Sequence, residues 1–199
     1  MIRHALIALL LVTAPAAAST PVYPHRTIEA DGTYTLLHEA RVEATVAEVW
    51  TAISTVDGWR TWAVPVAWTD PVDPDVIETA YDPAAQPGQP QTIRQRILVR
   101  VPSRLLAFRT IKAPAGFTDF DQFSRTAAVF ELIAEGPRLT RVRLTGVGYP
   151  NTEAGRRLLD FFEHSNALTL ERLTRRFEQG ALDWPAELRR QAELSSRAR

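Results

Sequence analysis

The chain has 199 residues, 45% of them hydrophobic, with 23 basic side chains matched by 23 acidic ones and no cysteine. That apolar fraction and zero formal charge exclude an intrinsically disordered chain and the basic excess of a nucleic-acid binder. The missing cysteine excludes a disulfide framework, a thiolate nucleophile, Cys-ligated zinc and an iron–sulfur cluster.

Arg3 and His4 precede an apolar run, Ala5 to Val12, which leads into Thr13-Ala14-Pro15-Ala16-Ala17-Ala18-Ser19. A basic start, a short apolar stretch and a small-x-small site are the parts of a secretory signal peptide, here residues 1–18. The run falls short of the about 20 apolar residues that cross a bilayer. The mature chain is therefore expected to be periplasmic or secreted, with no integral membrane segment after signal removal. Residues 19–32 contain Pro21 and Pro24 and no periodicity, and read as an N-terminal arm.

A strand pattern begins after Gly32. Tyr34, Leu36, His38, Ala40, Val42 and Ala44 fall on one face, while Glu39, Arg41 and Glu43 fall on the other. Val46, Val49, Trp50 and Ile53 recur at helical spacing behind Thr45, a natural N-cap, and Asp57 to Trp62 form a second short helix or turn. Six further strands are predicted near 64–69, 76–81, 91–101, 104–111, 126–134 and 139–148, with Pro-, Gly- and Asp-rich turns between them. Asn151 or Thr152 opens a long helix that runs to Gln179, with Gly180 at its C-terminal cap. Leu159, Phe162, Asn166, Leu170, Leu173 and Phe177 form its stripe, widened by Leu158, Phe161 and Leu168. An apolar face that long must lie across the sheet. Residues 33–180 thus make one domain, and residues 181–199 a tail with a short helix.

The order of one strand, two short helices, six strands and a long C-terminal helix resembles the helix-grip architecture of the START-like (SRPBCC) superfamily. That superfamily includes polyketide cyclases and dehydrases and relatives of the activator of the ninety-kilodalton heat-shock chaperone. Val42 to Ile53 resembles the family's opening, a strand ending in a capped helix that carries Val-Trp. Asp57 to Trp62 resembles its Trp-bearing turn, and Phe130-Glu131-Leu132 with Leu139 to Val142 its last hairpin. The resemblance covers residues 33–179. It implies an α+β fold in which a seven-stranded antiparallel sheet wraps around the long helix, with an apolar ligand cavity between them. The secretory signal departs from a cytosolic chaperone cofactor, so that activity is not carried over.

The expected lining is Leu36, His38, Phe108 and Phe130 from the strands, Trp59, Trp62 and Trp68 near the mouth, and Phe161, Phe162, Asn166 and Leu170 from the helix. Aromatics bury large area while an indole N–H remains to orient a polar ligand atom. The same residues serve equally as packing. Ala40, Ala128 and Gly146, small and inward, argue for space left over. His38 and His164 are the candidate catalytic residues, as proton-transfer groups, each equally readable as a hydrogen-bonded structural residue. No histidine spacing suits a metal. Arg94, Arg96 and Arg100 share a strand face and are expected outward, as are Arg141 and Arg143. The carboxylates of Asp70 to Asp75 lack the glycine and glutamate of a calcium loop.

Three readings follow. The first is a periplasmic or secreted binding protein for a small hydrophobic molecule: a lipid, a sterol or an aromatic polyketide-like compound. The second is a cyclase- or dehydrase-type enzyme that uses the same cavity with a histidine as proton carrier. The third is an interaction protein with a filled core. No cofactor is implied.

Overall fold

The computed structural model describes residues 24–197, and side chains through residue 193. The signal peptide expected at 1–18 and the start of the arm lie outside the described residues. The sheet has eight antiparallel strands, in the order β1-β2-β8-β7-β6-β5-β4-β3. They are β1 (His25–Ile28), β2 (Tyr34–Val42), β3 (Val66–Thr69), β4 (Val76–Ala80), β5 (Ile93–Val101), β6 (Leu105–Lys112), β7 (Ala127–Gly136) and β8 (Leu139–Tyr149). The expected count of seven is corrected by β1, which forms within the residues read as an arm. Its four residues are all exposed, so no alternation marked them. They add to the edge of β2, with His25 opposite Leu37 and Ile28 opposite Tyr34.

Two short helices, α1 (Val46–Ser54) and α2 (Val56–Arg60), follow β2, and a single turn, α3 (Phe120–Phe123), precedes β7. Thr45 opens α1 through a full capping box. Its hydroxyl accepts from Glu48 N at 3.2 Å, and the Glu48 carboxylate accepts from Thr45 N at 2.8 Å. The long helix, α4 (Glu153–Gln179), is capped by the Thr152 hydroxyl, which accepts from Gly155 N at 3.1 Å. It stops at Gly180, whose φ of 91° suits glycine. A final helix, α5 (Trp184–Arg197), packs back beside α2: Leu182 N donates to Thr61 O, and Trp184 Nε1 to Arg60 O at 2.6 Å.

The outer sheet face carries matched ion pairs. Arg143 meets Glu39 at 2.9 Å and Glu131 at 3.0 Å, while Arg141 meets Glu135 at 3.0 Å. Arg94 and Arg96 pair with Asp70 and Asp73 of the loop before β4, as their outward parity requires. Alternation with the outward Arg96 and Arg100 would turn Val99 and Val101 inward with Ile97, but they do not point there. Register moves from Ile97–Phe108 to Val99–Ala107, so Leu98 is a bulge that turns the rest of β5 over and leaves both valines exposed.

Apolar burial is divided into two clusters. One joins Trp59, Trp62, Phe130, Leu144, Leu170 and Leu173; the other joins Leu36, Tyr149, Leu158 and Leu159. The helix is therefore buried toward both ends, while Ser165, Asn166 and Thr169 between them stay half-buried. The start of α4 depends on a close approach at Gly155, where an added Cβ would lie 1.8 Å from Pro150 O. Gly155→Ala is expected to lower stability by roughly 1–3 kcal/mol through this overpacking, measured as a lower urea midpoint with an unchanged slope.

Candidate ligand-binding site

Between the two clusters, α4 stands off from the concave face of β4–β8 and leaves a cavity of about 300 Å³. Its walls are aromatic. At one end Trp59 lies edge-on to Phe108 with ring centres 5.7 Å apart, Trp62 lies edge-on to Phe130 at 6.2 Å, and the two phenylalanines stack at 6.2 Å. At the other, Phe123 stacks on Phe162 at 4.7 Å and Phe117 packs on Phe123 at 5.3 Å. Phe161 and Tyr81, about half exposed, form the rim.

Trp59, Trp62, Phe108, Phe130, Phe161, Phe162 and Asn166 border the cavity, as the sequence predicts, and so does Ala128. The expected role of the indole N–H groups is corrected. Trp59 Nε1 donates to Ile53 O, and Trp62 Nε1 donates to Ala52 O at 2.9 Å. These carbonyls belong to the last turn of α1, where four carbonyls lack helical partners. The tryptophans thus cap a helix and present only their apolar faces to the cavity.

Leu36, Leu170, Trp68, His38 and His164 lie outside the lining. Leu36 and Leu170 belong one to each packed cluster. Trp68 points away because Ala67 is the inward residue of β3, opposite Thr79. His164 is exposed on α4. The volume expected over Gly146 is taken by Tyr149, whose hydroxyl would be 2.6 Å from an added Cβ.

His38 does face inward and is fully buried, but its partner is the backbone: Nε2 lies 2.9 Å from Glu163 O. A carbonyl only accepts, so Nε2 carries the proton and Nδ1, which is buried without a partner among the described residues, holds the lone pair. Burial lowers the His38 pKa, and the bond to Glu163 opposes this only in part.

Among the lining residues missed in the sequence, two groups stand out. Phe117 and Phe123 come from the segment between β6 and β7, which has no periodicity to read. Asp119 fastens that segment to α4 through two 2.9 Å bonds from Arg157, which hold its carboxyl below the usual range. Thr79, Gln95 and Thr110 from the strands, with Ser165, Thr169 and Arg172 from α4, make the second group. The strand trio continues the parity of Ile77, Ile97 and Phe108, and the helical trio widens the stripe at four- and three-residue spacing. Their polarity hid them. Gln95 Oε1 is buried with no hydrogen-bond partner among the described residues.

A family model described as polyketide cyclase/dehydrase and lipid transport matches residues 35–181. The chain belongs to that family. With it comes membership of the START-like superfamily, whose helix-grip fold is the arrangement described above. No curated protein matches the sequence. Among solved structures, protein MLL2253 from Mesorhizobium loti is 17% identical with a TM-score of 0.55, over 74% of this chain and 99% of that one. CalU16 from Micromonospora echinospora is 18% identical with a TM-score of 0.54, over 86% and 90%. The Aha1 dimer from Colwellia psychrerythraea is 15% identical with a TM-score of 0.53, over 73% and 97%. At these identities the likeness shows the shared fold. No helix among the described residues is long and apolar enough to cross a membrane.

The buried neutral histidine makes a pH prediction. The unfolded chain binds a proton at His38 near pH 6.5, whereas the folded chain resists it to lower pH, so acid favours unfolding through this group. Stability is expected to be insensitive to His38 above about pH 6.5 and to fall below it. In His38→Gln, the loss of Tm between pH 7 and pH 5 should be smaller than in the wild type.

Proposed function

We propose that this protein holds one small hydrophobic molecule between α4 and the sheet, and that it does so outside the cytosol. The observation that carries the reading is the cavity itself: preformed, aromatic-walled, and left open by a helix anchored on both sides of it. Its size narrows the ligand. An apolar cavity of about 150 Å³ accepts one benzene ring, so about 300 Å³ suits a body of one to two rings better than a sterol. Gln95 offers such a ligand one neutral polar contact from the sheet side. The leader-like residues 1–18 support the location, and the family's link to lipid transport supports the kind of cargo.

Binding is favoured over histidine-mediated catalysis because neither His38 nor His164 borders the cavity, and His38 is committed to Glu163. The open space counts equally against a filled core. Ala128→Phe would place a ring into the space from β7. It is expected to abolish uptake of bicyclic aromatics while leaving the far-ultraviolet spectrum unchanged. Native mass spectrometry and thermal shift across aromatic, fatty-acid and sterol panels are the measurements. A wild-type protein that binds no member of any panel would sink the reading.

A further inference from the structure

Arg172, one turn beyond Thr169 on α4, borders the cavity although it is only 7% exposed. Among the described residues that line the space it is the one charged side chain, and no carboxylate joins it there. Its hydrogen bond within the described residues uses Nε, which donates to Glu187 Oε1 at 3.1 Å, and its guanidinium carbon lies 5.7 Å from the Trp184 ring centre. The two Nη groups make no hydrogen bond to a described residue.

Glu187 does not neutralise Arg172 alone. It also accepts from Arg175 Nη1 at 3.1 Å and from Arg190 Nη2 at 3.0 Å. Burial pushes the Glu187 pKa up, yet the bonds from Arg190, Arg172 and Arg175 together outweigh it and hold the group at about 2, fully ionised at neutral pH. Three guanidiniums therefore share that carboxylate. Glu171 adds another to the group, but it approaches Arg190, at 4.0 Å. These five residues thus set three guanidiniums against two carboxylates, in a chain whose formal charge is zero.

A guanidinium largely withdrawn from water, with an edge left idle by the described residues, gains from an anion placed on that edge. The idle edge here is the Nη1–Nη2 pair, whose parallel N–H bonds match the two oxygens of a carboxylate. We propose that the occupant is an anionic amphiphile, a carboxylic acid of one or two rings or a short chain. Its carboxylate would sit on the Nη edge of Arg172 and its apolar body between the two aromatic groups. This rests on the cavity being a ligand site and adds the chemistry of the head group.

Isothermal titration of the full-length protein with 2-naphthoic acid and 2-naphthalenemethanol tests it, since the probes share a bicyclic body and differ in charge. The acid is expected to bind at least about tenfold tighter at pH 7, as a charge-assisted pair warrants. Arg172→Gln should bring the two within about twofold by weakening the acid alone, and Arg172→Lys, which keeps the charge without the fork, should retain part of the preference. Equal wild-type affinities would overturn the head-group assignment and leave the cavity reading standing. Binding of neither probe would overturn both. The wild-type ratio decides the question even if Arg172→Gln does not fold.

Discussion

The site exists because leucines pack α4 down on both sides of the cavity while Ser165, Asn166 and Thr169 face it. Leu158 and Leu159 enter the cluster built on Leu36 and Tyr149, while Leu170 and Leu173 enter the one built on Trp62 and Phe130. A helix of 27 residues is about 40 Å long and stiff, so it bridges the intervening gap without sagging into it. Had Ser165, Asn166 and Thr169 been leucines, their bulk would have filled the space to ordinary packing density. Polar, medium-sized side chains in mid-helix keep the two layers apart. The position and approximate volume of the cavity follow from that choice.

The wall opposite is rigid for a related reason. A tryptophan lining a cavity normally keeps its indole N–H for whatever enters. Here both N–H groups are bound to the last carbonyls of α1, and α1 is itself fixed at its other end by the Thr45–Glu48 capping box. Helix capping and wall construction are one set of bonds. A ligand meets faces already held in place, which reduces the ordering cost of binding.

What the sequence disclosed was parity, and parity carries no depth. Alternation from Tyr34 to Ala44 correctly turned His38 inward, but inward along that strand means beneath the α4 backbone, where Glu163 O receives it. Alternation failed in β5 past Leu98, because an inserted residue has the same composition as a paired one. Trp68, an aromatic expected near the mouth, lies outside the lining because small Ala67 holds the inward side of β3. The long helix was readable nearly to the residue, since its period persists over many turns and both caps are chemical. The site's polar members were not, because a search for apolar stripes passes over Thr169 and Arg172 although they continue the same line. The aromatic loop residues Phe117 and Phe123 had no pattern at all to betray them.

Charge separates scaffold from site. On the outer face nearly every arginine discussed has its own acid: Arg94 has Asp70, Arg96 has Asp73, Arg143 has Glu131. Pairs of that kind are screened and contribute little, but they leave no net field. The α4–α5 junction breaks the rule, with Glu187 divided among three cations. The excess comes from α4, which carries Arg172 and Arg175 against Glu171, while α5, anchored by Trp184 to Arg60 O, brings the shared Glu187 together with Arg190. The segment read from sequence as a tail therefore supplies the carboxylate that partly neutralises Arg172 at the cavity wall. The chain's overall neutrality conceals this local imbalance, because a sum over the whole sequence does not show where acids are missing.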